Sequence, residues 1–150
     1  MADLATLSIA EQLGLTEADP LRLVAVPGQF LVSGAHDLPA NSVADIEGGY
    51  ACWLTPRRRL VVSATPPAGF ASDISHGVAV FSIDPAHDTD FVAMGCALPP
   101  TALAEGKCAQ TVFAGLKLLL YRRHGLLHLH VERSLAPHIL AWFRQAATAL

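Results

Sequence analysis

Seven histidines and three cysteines are the residues of this chain best equipped for chemistry, and their spacing decides what they can do. His128-x-His130 places two imidazoles on the same side of an extended segment, with His124 close by across a turn. Zinc would need a third protein ligand and an outer shell that orients the rings. The pattern supplies neither, so no metal ligand is assigned. Cys96 and Cys108 are the candidate nucleophiles, but a thiol becomes thiolate near neutral pH only beside a cation or a helix N-terminus. No local signature provides that, and Cys52, Cys96 and Cys108 are too far apart for a C-x-x-C pair; all three read as reduced, mostly buried thiols.

The acids Asp84, Asp88 and Asp90 crowd the expected start of a helix, where capping and the helix dipole already favour carboxylates. They are not read as a catalytic pair. Neither G-x-x-x-x-G-K-[ST] nor a G-x-G-x-x-G after a strand occurs, so no flavin, nicotinamide or nucleotide cradle is encoded. Arg57-Arg58-Arg59, with Arg122-Arg123 as a weaker second cluster, reads as a solvated turn. With a net charge of −3 the broad basic face of a nucleic-acid binder is missing.

The elements that must position these side chains follow from pattern. Residues 1–20 read as an N-terminal arm or short helix, and 21–150 as a single α+β domain. Residues 21–33 suggest a strand pair broken at Pro27-Gly28, and 36–49 a loop. Residues 50–54 and 60–63 form a hairpin through Thr55-Pro56 and the arginines. A strand over 77–83 leads into a helix capped by Asp84 that ends at Pro99-Pro100.

Strands at 109–114, 116–122 and 126–133 follow. In the last of these Leu127, Leu129 and Val131 alternate with His128, His130 and Glu132, the period of a half-buried strand with one wet face. On that reading, replacing both histidines changes stability little. Ser134 is expected to cap a closing helix whose stripe of Leu135, Ile139, Trp142, Phe143 and Ala146 packs on the sheet, with Trp142 in the core and worth about 3 to 5 kcal/mol. The resulting fold class is α+β: an antiparallel sheet with helices packed on one face.

Composition adds a partner. Apolar residues make up 52% of the chain and charged residues 15%, against an ordinary charged share of about 25%. A domain this small has much surface for its volume, so an apolar surplus implies an interface. No run reaches the roughly 18 to 20 apolar residues that span a membrane. Met1-Ala2-Asp3-Leu4 lacks a basic region followed by an apolar one, so a cytoplasmic location is expected.

One family ties these readings together. Ser75-His76-Gly77-Val78-Ala79-Val80-Phe81-Ser82-Ile83, Met94-Gly95-Cys96-Ala97-Leu98, Glu105-Gly106-Lys107-Cys108-Ala109-Gln110-Thr111 and Val131-Glu132-Arg133-Ser134 before Ala141-Trp142-Phe143 resemble, in order and spacing, the gamma subunit of heterotetrameric sarcosine oxidase. Trp53-Leu54-Thr55-Pro56 with Leu60-Val61-Val62 is similar to that family's strand, proline turn and strand. The arginine cluster departs from the acidic-aromatic turn often found there.

The resemblance implies a fold similar to the folate-binding domain of the glycine-cleavage T-protein. It also implies a non-catalytic accessory subunit in a complex that oxidatively demethylates sarcosine or a related N-methyl amine. FAD, FMN, NAD and tetrahydrofolate are then expected in partner alpha and beta subunits and none in this chain, with a homo-oligomer possible when the partners are missing. No catalytic, cofactor-binding or metal residue is carried over, and no activity of the chain alone is expected. The motif residues take structural roles: Gln110 and Thr111 satisfy backbone groups, Cys108 fills core, and Arg133-Ser134 end a strand and cap a helix. The competing readings are a stand-alone folate-binding or one-carbon module of the T-protein type, and a thiol or metal enzyme resting on Cys108 and the His128/His130 pair.

Overall fold

In the computed structural model, residues 8–150 are described; the reading of Met1-Ala2-Asp3-Leu4 and the first part of the expected arm lie outside them. The elements are α1 (Ile9–Leu13), β1 (Leu21–Leu23), β2 (Gln29–Ser33), β3 (Val43–Ile46), β4 (Gly49–Thr55), β5 (Arg58–Ser63), β6 (Phe70–Asp73), β7 (Val78–Ile83), α2 (Asp88–Gly95), β8 (Cys108–Phe113), β9 (Leu116–Arg123), β10 (Leu126–Glu132) and α3 (Ala136–Ala147). The class is α+β as expected, but the strands divide into two antiparallel five-stranded sheets, in the orders β1-β7-β10-β9-β8 and β3-β4-β5-β2-β6.

The first sheet is the middle layer. One face carries Phe81, Leu120, Leu129 and Phe113 against Phe91 of α2 and Ile139 and Phe143 of α3. The other carries Cys108, Leu119 and Tyr121 against Tyr50, Cys52, Leu60 and Val62 of the second sheet. A strand covered on both faces has no polar alternation to show, which is why Leu118, Leu119, Leu120 and Tyr121 run together and are all buried. Much of the apolar excess is consumed inside these two interfaces. Among the described residues, Phe70 (85%) and Val112 (56%) are the most exposed large apolar side chains.

Several local expectations change. Leu21–Leu23 and Gln29–Ser33 do not pair with each other: β1 joins β7, while β2 lies between β5 and β6. Pro27-Gly28 is thus the crossover from one sheet to the other. The expected loop over 36–49 contains β3, paired with β4, and β6 forms just after the Pro66-Pro67-Ala68-Gly69 breaker. Both are short edge strands: β6 pairs with the sequence-distant β2, whereas β3 forms a local hairpin with β4 through Glu47-Gly48.

Asp84 does not cap α2; its carboxylate accepts from Ala86 N–H in a turn, and the helix starts at Asp88. Ser134 likewise caps nothing, because a 3₁₀ turn over Arg133–Leu135 intervenes before α3, where proline occupies the first turn. The stripe on α3 is Ala136, Ile139, Leu140 and Phe143, and Trp142 is only half-buried.

The N-terminal segment is pinned to α3. Ser8 and Glu11 form a reciprocal capping box on α1. Arg144 donates to both carboxylate oxygens of Asp19, at 2.6 and 2.8 Å; this guanidinium, with Thr16 N–H, holds the Asp19 carboxyl down at about 2. Asp88 at the start of α2 is buried and paired with Arg122 of β9 at 2.9 Å, so it fixes the helix to the sheet as well as meeting the dipole.

At the end of α2, Gly95 lies under Phe113. A Cβ there would come within 2.5 Å of three atoms of the Phe113 ring, which is wedged between Trp142 and Phe143. Glycine to alanine in a helix normally stabilises by up to about 1 kcal/mol. Here the sign reverses, and Gly95→Ala is expected to cost about 1 to 3 kcal/mol through overpacking. A urea melt showing equal or higher stability for the variant would contradict this packing.

Candidate functional site

The segment Glu105-Gly106-Lys107-Cys108-Ala109-Gln110-Thr111 is where the two sheets are stitched together. Glu105 accepts from His124 N–H at 3.0 Å and Gly125 N–H at 2.7 Å, clamping the β9–β10 turn, in which His124 and Gly125 both have positive φ. Gly106 donates to Arg122 O and accepts from Val43 N–H, each at 3.0 Å, and Cys108 N–H donates to Asn41 O at 2.9 Å. The Cys108 thiol lies 3.2 Å from Ser42 O and 3.3 Å from Trp53 O. Gln110 Nε2 donates to Leu54 O at 2.8 Å.

Gln110 and Cys108 therefore hold the positions expected of them, one satisfying a backbone carbonyl and the other filling the inter-sheet core. Thr111 is half-buried, and its hydroxyl makes no hydrogen bond among the described residues. Cys52 lies in the same inter-sheet cluster, and its interaction with the Cys108 thiol together with burial pushes the Cys52 thiol well up. All three cysteines are free.

Behind this seam runs a chain of buried polar side chains, among them His130, which alternation along β10 assigns to the wet face. His130 is 6% exposed, facing the second sheet. Its Nδ1 lies 2.8 Å from Gln29 Oε1 and its Nε2 2.9 Å from the Tyr121 hydroxyl. Gln29 Nε2 donates to Val78 O at 3.1 Å, which leaves Oε1 as the acceptor for Nδ1–H. Nε2 is then an acceptor, so Tyr121 O–H donates to it and Tyr50 O–H donates to Tyr121. Each hydrogen bond of the chain then has one donor and one acceptor while the imidazole is neutral.

Burial first, and His128 second, hold the His130 imidazole down at about 3. Desolvation pushes both tyrosine hydroxyls up. At the outer end Arg123 sits 4.3 Å from the centre of the Tyr50 ring and donates to Asp45.

His128 stacks on Tyr121, with ring centres 5.0 Å apart, and burial lowers its basicity. The wet-face reading of β10 is thus overturned for His130, which the second sheet covers, and in part for His128, which is half-buried against Tyr121, while Glu132 is exposed as expected. With both His130 nitrogens engaged inside the protein, His128 and His130 do not converge on a metal. Among the described residues no three His, Cys, Asp or Glu side chains do so. Nor is any described helix long and apolar enough to cross a membrane.

A middle sheet flanked by helices on one side and a second sheet on the other, sealed by a motif used for stitching, defines an α+β protein whose distinctive side chains act on its own architecture. This fold is shared with a chain of the heterotetrameric sarcosine oxidase from Corynebacterium sp. U-96, solved in complex with pyrrole 2-carboxylate. The match has a TM-score of 0.79 and 18% identity, covering 97% of this chain and 96% of that chain. At this identity what the match establishes is the fold. No family model and no curated protein matches the sequence.

Proposed function

We propose that this protein is a non-catalytic accessory subunit, of the gamma type, in a sarcosine-oxidase-like flavoenzyme complex that oxidatively demethylates sarcosine or a related N-methyl amine. The observation that carries the reading is the end-to-end agreement of fold and size with a chain of such an oxidase. The use of the motif side chains inside the fold supports it. FAD, FMN, NAD and tetrahydrofolate then belong to the alpha and beta partners, and the setting is the cytoplasmic catabolism of sarcosine as a one-carbon source. Residues 8–20, the described part of the expected arm, serve as an arm of the one domain formed by 21–150. Co-expression with the flavin-carrying alpha and beta subunits tests the reading directly, because a chain that purifies away from both, as a monodisperse monomer at micromolar concentration, is not such a subunit.

The same reading fixes what the motif does. Cys108 and Gln110 act through packing and hydrogen bonds between the sheets, so Cys108→Ala and Gln110→Ala should lower the amount of assembled enzyme and leave the flavin reduction rate per assembled complex unchanged. Rapid-reaction reduction normalised to bound flavin measures this. A large fall in the normalised rate would place the segment at the active site and end the non-catalytic assignment.

A further inference from the structure

The longest edge strand of the molecule is open on one side. In β8, Ala109, Thr111 and Phe113 lie opposite Leu120, Leu118 and Leu116 of β9. The tight Ala114-Gly115 turn makes these the hydrogen-bonded pairs of the ladder. Gln110 and Val112 therefore point their N–H and C=O groups outward. The outward row is engaged at both ends, where Cys108 N–H meets Asn41 O and Ala114 N–H meets Gly95 O. Between them the backbone groups of Gln110 and Val112 have no protein partner among the described residues.

A groove opens on each face of this edge. Toward the second sheet lies an apolar cleft of about 620 Å³ walled by Leu31, Leu54, Leu60 and Ile74, beside which Val112 is exposed. On the opposite face a more polar hollow of about 460 Å³ is bounded by Asn41, Thr101 and Lys107. A strand added to an edge sends successive side chains to opposite faces, so it would place alternate residues in the two grooves. The chain's only two lysines, Lys107 and Lys117, border one groove each. Both are exposed and neither has an ion-pair partner among the described residues. Free lysines on an edge discourage pairing with a second lysine-bearing edge and favour an acidic one.

We infer that the β8 edge at Gln110–Val112 receives an extended segment of a partner subunit by strand addition, its aliphatic side chains entering the cleft beside Val112 and its acidic side chains meeting Lys107 and Lys117. This is the mode in which main-chain hydrogen bonds supply affinity and side-chain pockets supply selectivity. The inference rests on the proposed subunit role and names the surface through which that role is exercised.

The test is amide hydrogen exchange on the full chain, alone and in complex with the co-expressed alpha and beta subunits, combined with Val112→Pro, Val112→Lys and Val112→Ile. Strand addition predicts that the Gln110 and Val112 amides exchange at least tenfold more slowly in the complex. It also predicts that Val112→Lys weakens assembly at least tenfold and Val112→Ile does not. Val112→Pro removes one outward donor and should weaken assembly if it folds; the exchange measurement decides whether or not it does. A complex that forms with both amides exchanging as in the free chain overturns the edge site and leaves the subunit role standing. Failure of the wild-type chain to join either partner overturns both.

Discussion

Replacing His130 by alanine is expected to cost about 3 to 5 kcal/mol. The imidazole is buried, and its removal strands two partners at once: Gln29 Oε1 loses its donor and Tyr121 O–H loses its acceptor. Each buried group left unsatisfied costs about 1 to 3 kcal/mol, and the vacated volume adds a cavity penalty. Urea melts at pH 7.5 measure the loss. A value under 1 kcal/mol would mean that the chain from Tyr50 to Val78 is not a unit.

The same histidine imposes a pH dependence whose sign is fixed. Its folded-state value, about 3, lies below the ordinary value near 6.5. Between these limits the unfolded chain binds a proton that the folded chain refuses. Its contribution is therefore complete above pH 6.5 and is lost as pH falls, by about 1.4 kcal/mol per pH unit. The difference between wild type and His130→Ala should shrink with that slope from pH 6.5 to 4.5, whereas a flat difference would indicate an imidazole that titrates normally in the fold.

The second large effect belongs to Phe143, with Trp142 beside it as the contrast. Phe143 is fully buried, stacked on Phe113 at 5.5 Å and in contact with the rings of Phe91 and Trp142, each at 5.0 Å. Phe143→Ala should cost about 3 to 5 kcal/mol. Trp142 meets Phe113 and Phe143 edge-on while half-buried, so Trp142→Ala should cost about 1 to 2 kcal/mol, mainly through lost ring contacts. Equal losses for the two variants in urea melts would restore the core role that the apolar stripe suggests for the tryptophan.

The α+β class, the run of hairpins from β8 to β10, the hairpin through the arginines and the helix α3 were legible in the sequence. Period, turn residues and β-branched content are local properties, and these elements are governed by them. The packing of Cys108 between the sheets and the hydrogen bond of Gln110 to a backbone carbonyl were legible too, because a strand thiol and amide ordinarily serve packing and backbone satisfaction. What burial does to a face is not local. The alternation along β10 correctly divided Leu127, Leu129 and Val131 from His128, His130 and Glu132, but it carries no information on what lies over either set.

That choice was made by tertiary structure. A second sheet, assembled from strands as far apart as Gln29–Ser33 and Phe70–Asp73, closes over the histidine face. Gln29, 101 residues away in the chain, supplies the acceptor that makes burial of His130 tolerable. A polar side chain can lie inside when its hydrogen bonds are met, and a partner so remote leaves no trace in the spacing around it. The sequence by itself determined which residues share a face; only the packing of one sheet on another decided which faces are dry.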